Sequence, residues 1–479
     1  MQGSVGSSIG PAAAQRRSMD EIEPTRRTHG WFAVIWLIYL IDYADRFAVS
    51  AVLPAIKQEF SLNDLQLGLI SGSLFLGLAL LAVPCGLAVD RFSRKYMISL
   101  MALVWSAATW STGLARSYSD LLLARILVGA GEAGYNPAGY ALIAAWYPQR
   151  LRGTMVGLFN MAQPLGFGLG VIAAGYLATE YGWRAVFGVL AAPGILLALV
   201  MLFAPDYKTR TASRGALTEV RPGLLDALRF VAVNRTLQLI YLAQLPINLY
   251  IMSVAIWGPT FLLRQYQLSL AESAALVGVV TMIAGIGAPA GGVLSDRLAR
   301  GNPRARVTVC IAYLLVPLVL HSVAFIGSMH GLPLSTGIIL LGIGHFFAVA
   351  NWGTLVAAGM DQSPPQYRAT VQSFLPLVQA VAALAAGVVS GMLSDRIGLP
   401  LTLETLLVVG MVGGTCLLLL ARARYNRDNA RQRALGVFEI ELDRGPYPGR
   451  GKSNRFFPGD RHRPRSMPPP NSRAEKGDG

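Results

Sequence analysis

The chain has 479 residues, 53% of them hydrophobic and only 14% charged, with a mean hydropathy of +0.47. That balance excludes an ordinary soluble globular protein and defines an integral membrane protein. The formal net charge of +15 would suit a nucleic-acid binder, but the bases sit in loops and tails flanking apolar segments, so no nucleic-acid partner is expected.

Apolar segments of about twenty residues, the length a helix needs to cross the hydrocarbon core, recur along the chain. The first six are read at 31–53, 66–89, 96–114, 121–145, 155–179 and 185–203, and six more at 237–263, 274–294, 307–326, 332–359, 370–393 and 401–420. These runs are far longer than the alternating strands of about ten residues that membrane barrels use. The expected fold is an all-α membrane protein of twelve transmembrane helices in two pseudo-symmetric six-helix bundles. The expected boundaries are a disordered tail at 1–29, an N-terminal bundle at 30–204, a connector at 205–236, a C-terminal bundle at 237–422 and a basic, Pro-rich, disordered tail at 423–479.

Lys and Arg near helix ends collect on the cytoplasmic side. Arg16, Arg17, Arg26, Arg27, Arg91, Arg94, Lys95, Arg150, Arg152, the central loop, 297–306 and the tail from Arg422 fall on one side; the other side carries only Lys57, Arg116, Arg184, Arg264 and Arg396. Both termini are therefore expected in the cytoplasm, with membrane lipids as partners of the basic flank. Cys85, Cys310 and Cys416 lie in apolar segments without paired spacing, so neither a disulfide frame nor a metal site is indicated.

Internal repetition supports two related halves. Gly-Leu-Ala-Val-Asp-Arg at 86–91 returns as Gly-Val-Leu-Ser-Asp-Arg at 292–297 and again as Gly-Met-Leu-Ser-Asp-Arg at 391–396, the last echoed weakly around Glu180. On the assigned topology these sites end the second, fifth, eighth and eleventh spans at alternating faces, as expected of nested inverted repeats with a central site between the halves.

Ionisable residues inside such spans are costly, about 2.5–3.5 kcal/mol each on insertion scales, and mark substrate or ion pathways. The first span carries Asp42, Asp45 and Arg46; the fourth carries Arg125 and Glu132. At helical spacing each set projects from one side, with Asn136 continuing the second stripe. Three carboxylates against two guanidiniums leave one negative charge, which favours one bound proton. Burial favours a protonated carboxyl and a neighbouring guanidinium favours the carboxylate, so altered Arg contacts would load and release it. Asp42, Asp45 and Glu132 are the proton-coupling candidates, and Arg46 and Arg125 are forks for an anionic group. The rival reading is a buried ionic network that only fastens the two helices. Asn136, Gln163, Gln244, Asn248, His345, Asn351 and Gln379 are further substrate-binding candidates, and an interhelical hydrogen bond is the alternative for each. His345 is tempting as a relay because imidazole titrates near neutral pH. Pro164 and Pro289 are expected to bend their helices, and Gly166, Gly168 and Gly170 to allow close approach.

The loop residues Gly86, Asp90, Arg91, Arg94 and Lys95, repeated as Gly292, Asp296 and Arg297, resemble the signature of the major facilitator superfamily, with Ser93 replacing its usual Gly. The resemblance covers about residues 30–422 and implies a gating role for these residues, a carboxylate latching neighbouring helices through guanidinium groups. Asp42-Tyr-Ala-Asp45-Arg46 and the Arg125 to Pro137 segment, with Gly182-Trp183-Arg184, resemble spinster-type lipid transporters and, less closely, anion:cation symporters of sugar acids. In the spinster pattern Asn commonly stands where this chain has Asp42. The implied function is proton-coupled secondary transport of an amphipathic or anionic solute by alternating access. A lysophospholipid-like cargo is favoured; a small organic anion and a non-transporting receptor or scaffold are the alternatives. No Walker loop, His-Glu-x-x-His pair or nucleophile elbow occurs, so neither an enzyme nor a cofactor is expected. One chain suffices for this architecture, and a bacterial-type inner membrane is the expected location.

Overall fold

A computed structural model of the protein describes residues 24–205, 224–300, 302, 304–363 and 374–434. Both expected tails, apart from 24–29 and 423–434, the middle of the connector, residues 370–373 of the eleventh expected span and the side chain of Asp90 lie outside the described residues.

Every helix or strand among the described residues is an α-helix. In chain order they are α1 (Arg26–Phe60), α2 (Asp64–Arg91), α3 (Arg94–Gly113), α4 (Tyr118–Glu132), α5 (Tyr135–Trp146), α6 (Gln149–Asn160), α7 (Ala162–Tyr181), α8 (Trp183–Met201), α9 (Leu224–Val233), α10 (Arg235–Tyr266), α11 (Leu270–Gly285), α12 (Gly287–Leu298), α13 (Arg304–Met329), α14 (Leu334–Asp361), α15 (Phe374–Ile397) and α16 (Leu399–Ala434). Among the described residues, nine stretches are long and apolar enough to cross a membrane, with α6–α7 and α11–α12 each forming one of them. The expected spans missing from the nine are α1, α3 and α4–α5. Two of these three carry the ionisable stripes, which lower their apolar content.

Three expected spans are interrupted, and each interruption has the same cause. A proline removes the donor to the carbonyl four residues earlier and crowds it. For Pro137, Pro164 and Pro289 those carbonyls belong to Ala133, Asn160 and Gly285, and the helices end at Glu132, Asn160 and Gly285. The helix expected to run unbroken over 121–145 is thus divided, with Glu132 as the last residue before the break. Pro54, Pro84 and Pro193 sit inside helices that continue.

Local turns repeat between the halves. Ser61 and Gln267 close α1 and α10 in the left-handed region, at φ 53° and 54°. Two residues later Asn63 and Ser269 open α2 and α11 with capping boxes completed by Gln66 and Glu272. Gly182 and Gly398 join α7 to α8 and α15 to α16 with φ of 81° and 79°, a conformation that only glycine adopts without strain.

Two seams join the N-terminal helices to the C-terminal ones: α2 along α15, and α7 along α11. Both are glycine-tight at one end. A Cβ on Gly68 would lie 1.9 Å from the Gly387 carbonyl oxygen, and one on Gly168 2.6 Å from that of Gly278. Toward the opposite end contact is lost: a Cβ on Gly86, Gly153 or Gly157 would meet nothing within 4 Å. The tightest backbone contacts of the α2–α15 seam thus lie toward the end bearing Asp64 and Asp395.

Candidate functional site

The charged stripes of α1 and α4 meet. The Arg46 guanidinium donates from Nε to Glu132 Oε2 at 2.9 Å and from Nη2 to Asp42 Oδ2 at 3.0 Å, and it lies over the Tyr43 ring, 4.5 Å from its centroid. Beside it, Arg125 donates from Nη2 to the Arg46 carbonyl at 2.8 Å, with Nη1 4.0 Å from Asp45 Oδ1. Thr109 of α3 donates a hydrogen bond to Asp45 Oδ2. One carboxylate of the five-group set therefore belongs to Arg125 and two to Arg46, and the Arg46 backbone joins the two subsets.

Close backbone approach makes this burial possible. A Cβ on Gly129 would sit 1.8 Å from the Leu74 carbonyl oxygen of α2, and one on Gly170 of α7 would sit 2.3 Å from the Ala44 Cα. The helices around the stripes are thereby drawn in until Asp42, Asp45, Arg125 and Glu132 are 4% exposed or less, while the Arg46 side chain retains 9%. A water-accessible chamber around all five is therefore not what this conformation contains; Arg46 is the group nearest an opening. Several polar atoms in the cluster have no hydrogen-bond partner: Oδ1 of Asp42 and of Asp45, Oε1 of Glu132, and Nε and Nη1 of Arg125. Buried polar atoms are seldom left so, and here acceptors and donors are both in surplus.

Around the cluster runs an aromatic wall. Tyr39 stacks on Phe159 at 4.4 Å and meets Tyr43 edge-on at 5.3 Å, and Gln163 Nε2 donates to the Tyr39 hydroxyl at 2.5 Å. Asn136, half-buried just past the break, has an unpartnered Oδ1. The C-terminal candidates lie on different helices. Gln244 and Asn248 pair with each other on α10, Asn248 Nδ2 reaching Gln244 Oε1 at 2.9 Å and leaving Gln244 Nε2 without a partner. Asn351 is buried with a free Oδ1, and His345 and Gln379 are half-buried. Among the described residues no hydrogen bond or ion pair joins these five to the charged stripes.

The loop signature behaves differently in its two copies. Arg91 is exposed, and Lys95 donates to the Ala204 carbonyl at 3.1 Å. Asp296 pairs with Arg306 at 2.5 Å, and Arg306 also holds Asp361 at 2.8 Å, tying α12, α13 and α14 together; Arg297 is exposed, and a Cβ on Gly292 would meet nothing within 4 Å. Asp90 lies outside the described side chains, and Arg94 is half-buried.

Sequence reasoning missed Thr109, an ordinary hydroxyl in an apolar run that gave no signal, and His321. That imidazole is 1% exposed, hydrogen-bonds the Tyr250 hydroxyl through Nδ1 and the Leu341 carbonyl through Nε2 at 3.0 Å. It is a fully satisfied core group. Among the described residues no cluster of metal ligands occurs and the three cysteines are free.

Paired helical spans, two seams closed at one end and a buried charge cluster define a multi-pass membrane transporter. Residues 35–387 match the model of the Major Facilitator Superfamily, and the chain belongs to that family. It is 30% identical to protein spinster homolog 1 of Bos taurus over 505 aligned positions, covering 95% of this chain and 94% of that one. It is 26% identical to the hexuronate transporter of Bacillus subtilis, over 76% of this chain and 87% of that one. A crystal structure of a bacterial homolog to the human lysosomal transporter spinster, inward-facing and unoccupied, superposes with a TM-score of 0.72 at 23% identity, covering 88% of this chain and all of that one.

Proposed function

We propose that this chain is a proton-coupled secondary transporter of an amphipathic or anionic organic solute, with twelve crossings, cytoplasmic termini, and two bundles at 30–204 and 237–422 that rock about a central site. One observation carries the reading. Three carboxyls and two guanidiniums share one buried cluster, and each carboxyl keeps an oxygen without a hydrogen-bond partner. A set meant only to fasten helices would be expected to satisfy itself; this one has room for a proton or a ligand group.

Arg46 is the exchangeable element, because its side chain keeps the most surface of the five, 9%, and it spends its donors on Glu132 and Asp42. An incoming carboxylate or phosphate that takes the Arg46 fork displaces Glu132, whose uncompensated charge then favours proton uptake. Asp45, held by Thr109 and Arg125, is the second titrating candidate, and Asp42 sets the resting charge. In this scheme Gln163 and Asn136 supply polar contacts from the N-terminal helices, and the amides of the C-terminal helices supply uncharged ones. With positive-rich loops inside, the converged end faces outward and the described conformation is open toward the cytoplasm.

Coverage of nearly the whole spinster homolog favours a lysophospholipid-like cargo, and the aromatic wall suits an acyl chain. The likeness to a hexuronate transporter keeps a sugar acid as the second reading. Reconstituted protein, tested with a lysophospholipid and with a hexuronate under an imposed proton gradient, separates the two. Glu132→Gln is expected to abolish gradient-driven accumulation while retaining exchange; unchanged proton dependence in that variant defeats the coupling scheme.

A further inference from the structure

The third copy of the repeated loop sequence, Gly391 to Arg396, has no part in the scheme above, yet it makes the densest polar contact between the N- and C-terminal helices. The Asp395 carboxylate accepts from two backbone amides at the start of α2, Asp64 N at 2.9 Å and Leu65 N at 2.9 Å. Ser394 donates from Oγ to Asp64 Oδ2 at 2.6 Å. From α10, Arg264 forks onto the same carboxylate, Nη1 to Oδ2 at 2.6 Å and Nη2 to Oδ1 at 2.8 Å. Lys57, of the N-terminal helices, completes the set at 2.5 Å.

We propose that Asp64, Arg264, Ser394 and Asp395 form a latch that holds this end of the transporter shut and sets the balance between its two end conformations. Three features make it a device for switching and not a static fastener. First, every group except Asp64 and the short, uncharged Ser394 keeps a substantial surface: Asp395 is exposed, and the Lys57 and Arg264 side chains are 36% and 31% exposed, so water can take over when the ends part. Second, the first amides of a helix have no partner within it. Asn63 supplies one for Gln66, and Asp395 supplies those for Asp64 and Leu65 from across the seam, where the partial positive charge of the helix start favours a carboxylate. Third, the backbones beneath are in contact: a Cβ on Gly391 would lie 2.4 Å from the Asp64 carbonyl oxygen, so the polar contacts and the packing form or break together.

The matching seam lacks this device. The turn and capping box that precede α2 recur before α11, but Leu270 stands where α2 has Asp64. Glu180, the counterpart of Asp395, is exposed and has no hydrogen bond or ion pair among the described residues. One seam is latched by charge; at the other, packing is what the described residues show.

The proposal rests on the transporter reading for its purpose but not for its test, which needs neither cargo nor gradient. With Cys85, Cys310 and Cys416 replaced by Ser, spin labels at Gln58→Cys and Leu401→Cys report the latched end, and labels at Arg150→Cys and Arg300→Cys the opposite one. Pulsed electron–electron distance measurements in lipid nanodiscs are expected to show a short distance at the latched end in the parent protein. Asp395→Asn and Arg264→Gln each shift the populations about tenfold toward a longer distance there, the order expected for losing charge-assisted hydrogen bonds, with shortening at the opposite end. Ser394→Ala gives the same direction with smaller amplitude, so the series reads even where one variant fails to fold. Monodisperse variants with unchanged distances overturn the latch, and so does lengthening at both ends, which would mean loosening without rocking. If transport fails while these distances shift, the coupling scheme is wrong and the latch stands.

Discussion

Helices α1–α8 carry a cluster of five ionisable side chains at their centre, whereas α10–α16 present Gln244, Asn248, His345, Asn351 and Gln379 in the corresponding apolar spans, with Glu404 of α16 apart from them and bonded by Ser322 at 2.7 Å. The turns at Ser61 and Gln267, the capping boxes that follow and the glycine turns at 182 and 398 show how alike the two backbones are. A shared backbone with unshared charge separates two tasks. In the transport reading, proton exchange is completed inside one bundle, where Arg46 trades Glu132 for an incoming anion, while the other bundle contributes uncharged contacts that can slide or release at small cost. The same division appears at the seams, where among the described residues charged groups join the halves only around the start of α2, through Asp395 of α15 and Arg264 of α10.

The comparison breaks first at Arg125. It is fully buried between the Arg46 carbonyl and Asp45. Arg125→Leu strands Asp45 beside an unmatched Arg46 carbonyl, and removing one member of a buried charge set costs about 3–5 kcal/mol. A lowered midpoint in detergent thermal unfolding checks it. No comparable single loss is expected from any of the five polar groups of the C-terminal helices, and finding one there would erase the distinction between the halves.

Packing gives the next contrast. Gly129→Ala drives a methyl against the Leu74 carbonyl and is expected to destabilise by about 1–3 kcal/mol, with the charge cluster disturbed because α4 can no longer reach α2. Gly413→Ala in α16 meets only Pro246 at 3.8 Å, an ordinary contact, and gains up to about 1 kcal/mol of helix preference. Thermal unfolding of the two single variants, side by side, reads the difference in sign. A milder effect belongs to Asn248→Ala, which removes two hydrogen bonds to Gln244 on its own helix and is expected to cost about 0.5–1.5 kcal/mol; a cargo affinity lowered well beyond that stability loss would mark Asn248 as a contact of the transported molecule.

Much of this was legible in the chain. Apolar runs located the helices, and the i, i+3 and i+4 spacing of Asp42, Asp45 and Arg46 placed them on the side that meets α4. Stripe geometry could not say which carboxylate takes which guanidinium, because pairing depends on how far Gly129 and Gly170 let neighbouring backbones approach. The proline breaks were half visible: bends at Pro164 and Pro289 were expected, but Pro137 was read through, since Gly134 and the apolar residues after it look like an unbroken span. The contacts that reach Asp64 from Arg264 and Ser394, and its amide from Asp395, were invisible because they join residues 200 to 331 positions apart in the chain, and a lone acid at a helix start reads as a local cap.

The smallest effect is the sharpest control on the seams. Glu180 and Asp395 occupy related places at the ends of α7 and α15, one exposed without an ion pair and the other holding two amides of α2. If position in the repeat alone gave a carboxylate its role, Glu180→Gln and Asp395→Asn would act alike. If contact gives it, Glu180→Gln changes stability by less than about 0.5 kcal/mol, as surface substitutions do, and leaves the label distances at both ends where they were. At the start of α11 Ser269 and Glu272 bond each other as Asn63 and Gln66 do in α2, but among the described residues no carboxylate reaches the next two amides from across the seam, so removing the Glu180 charge breaks no contact. A Glu180→Gln variant that opened the latched end would show that the seam between α7 and α11 is held by charge as well, and the contrast between the two seams would be lost.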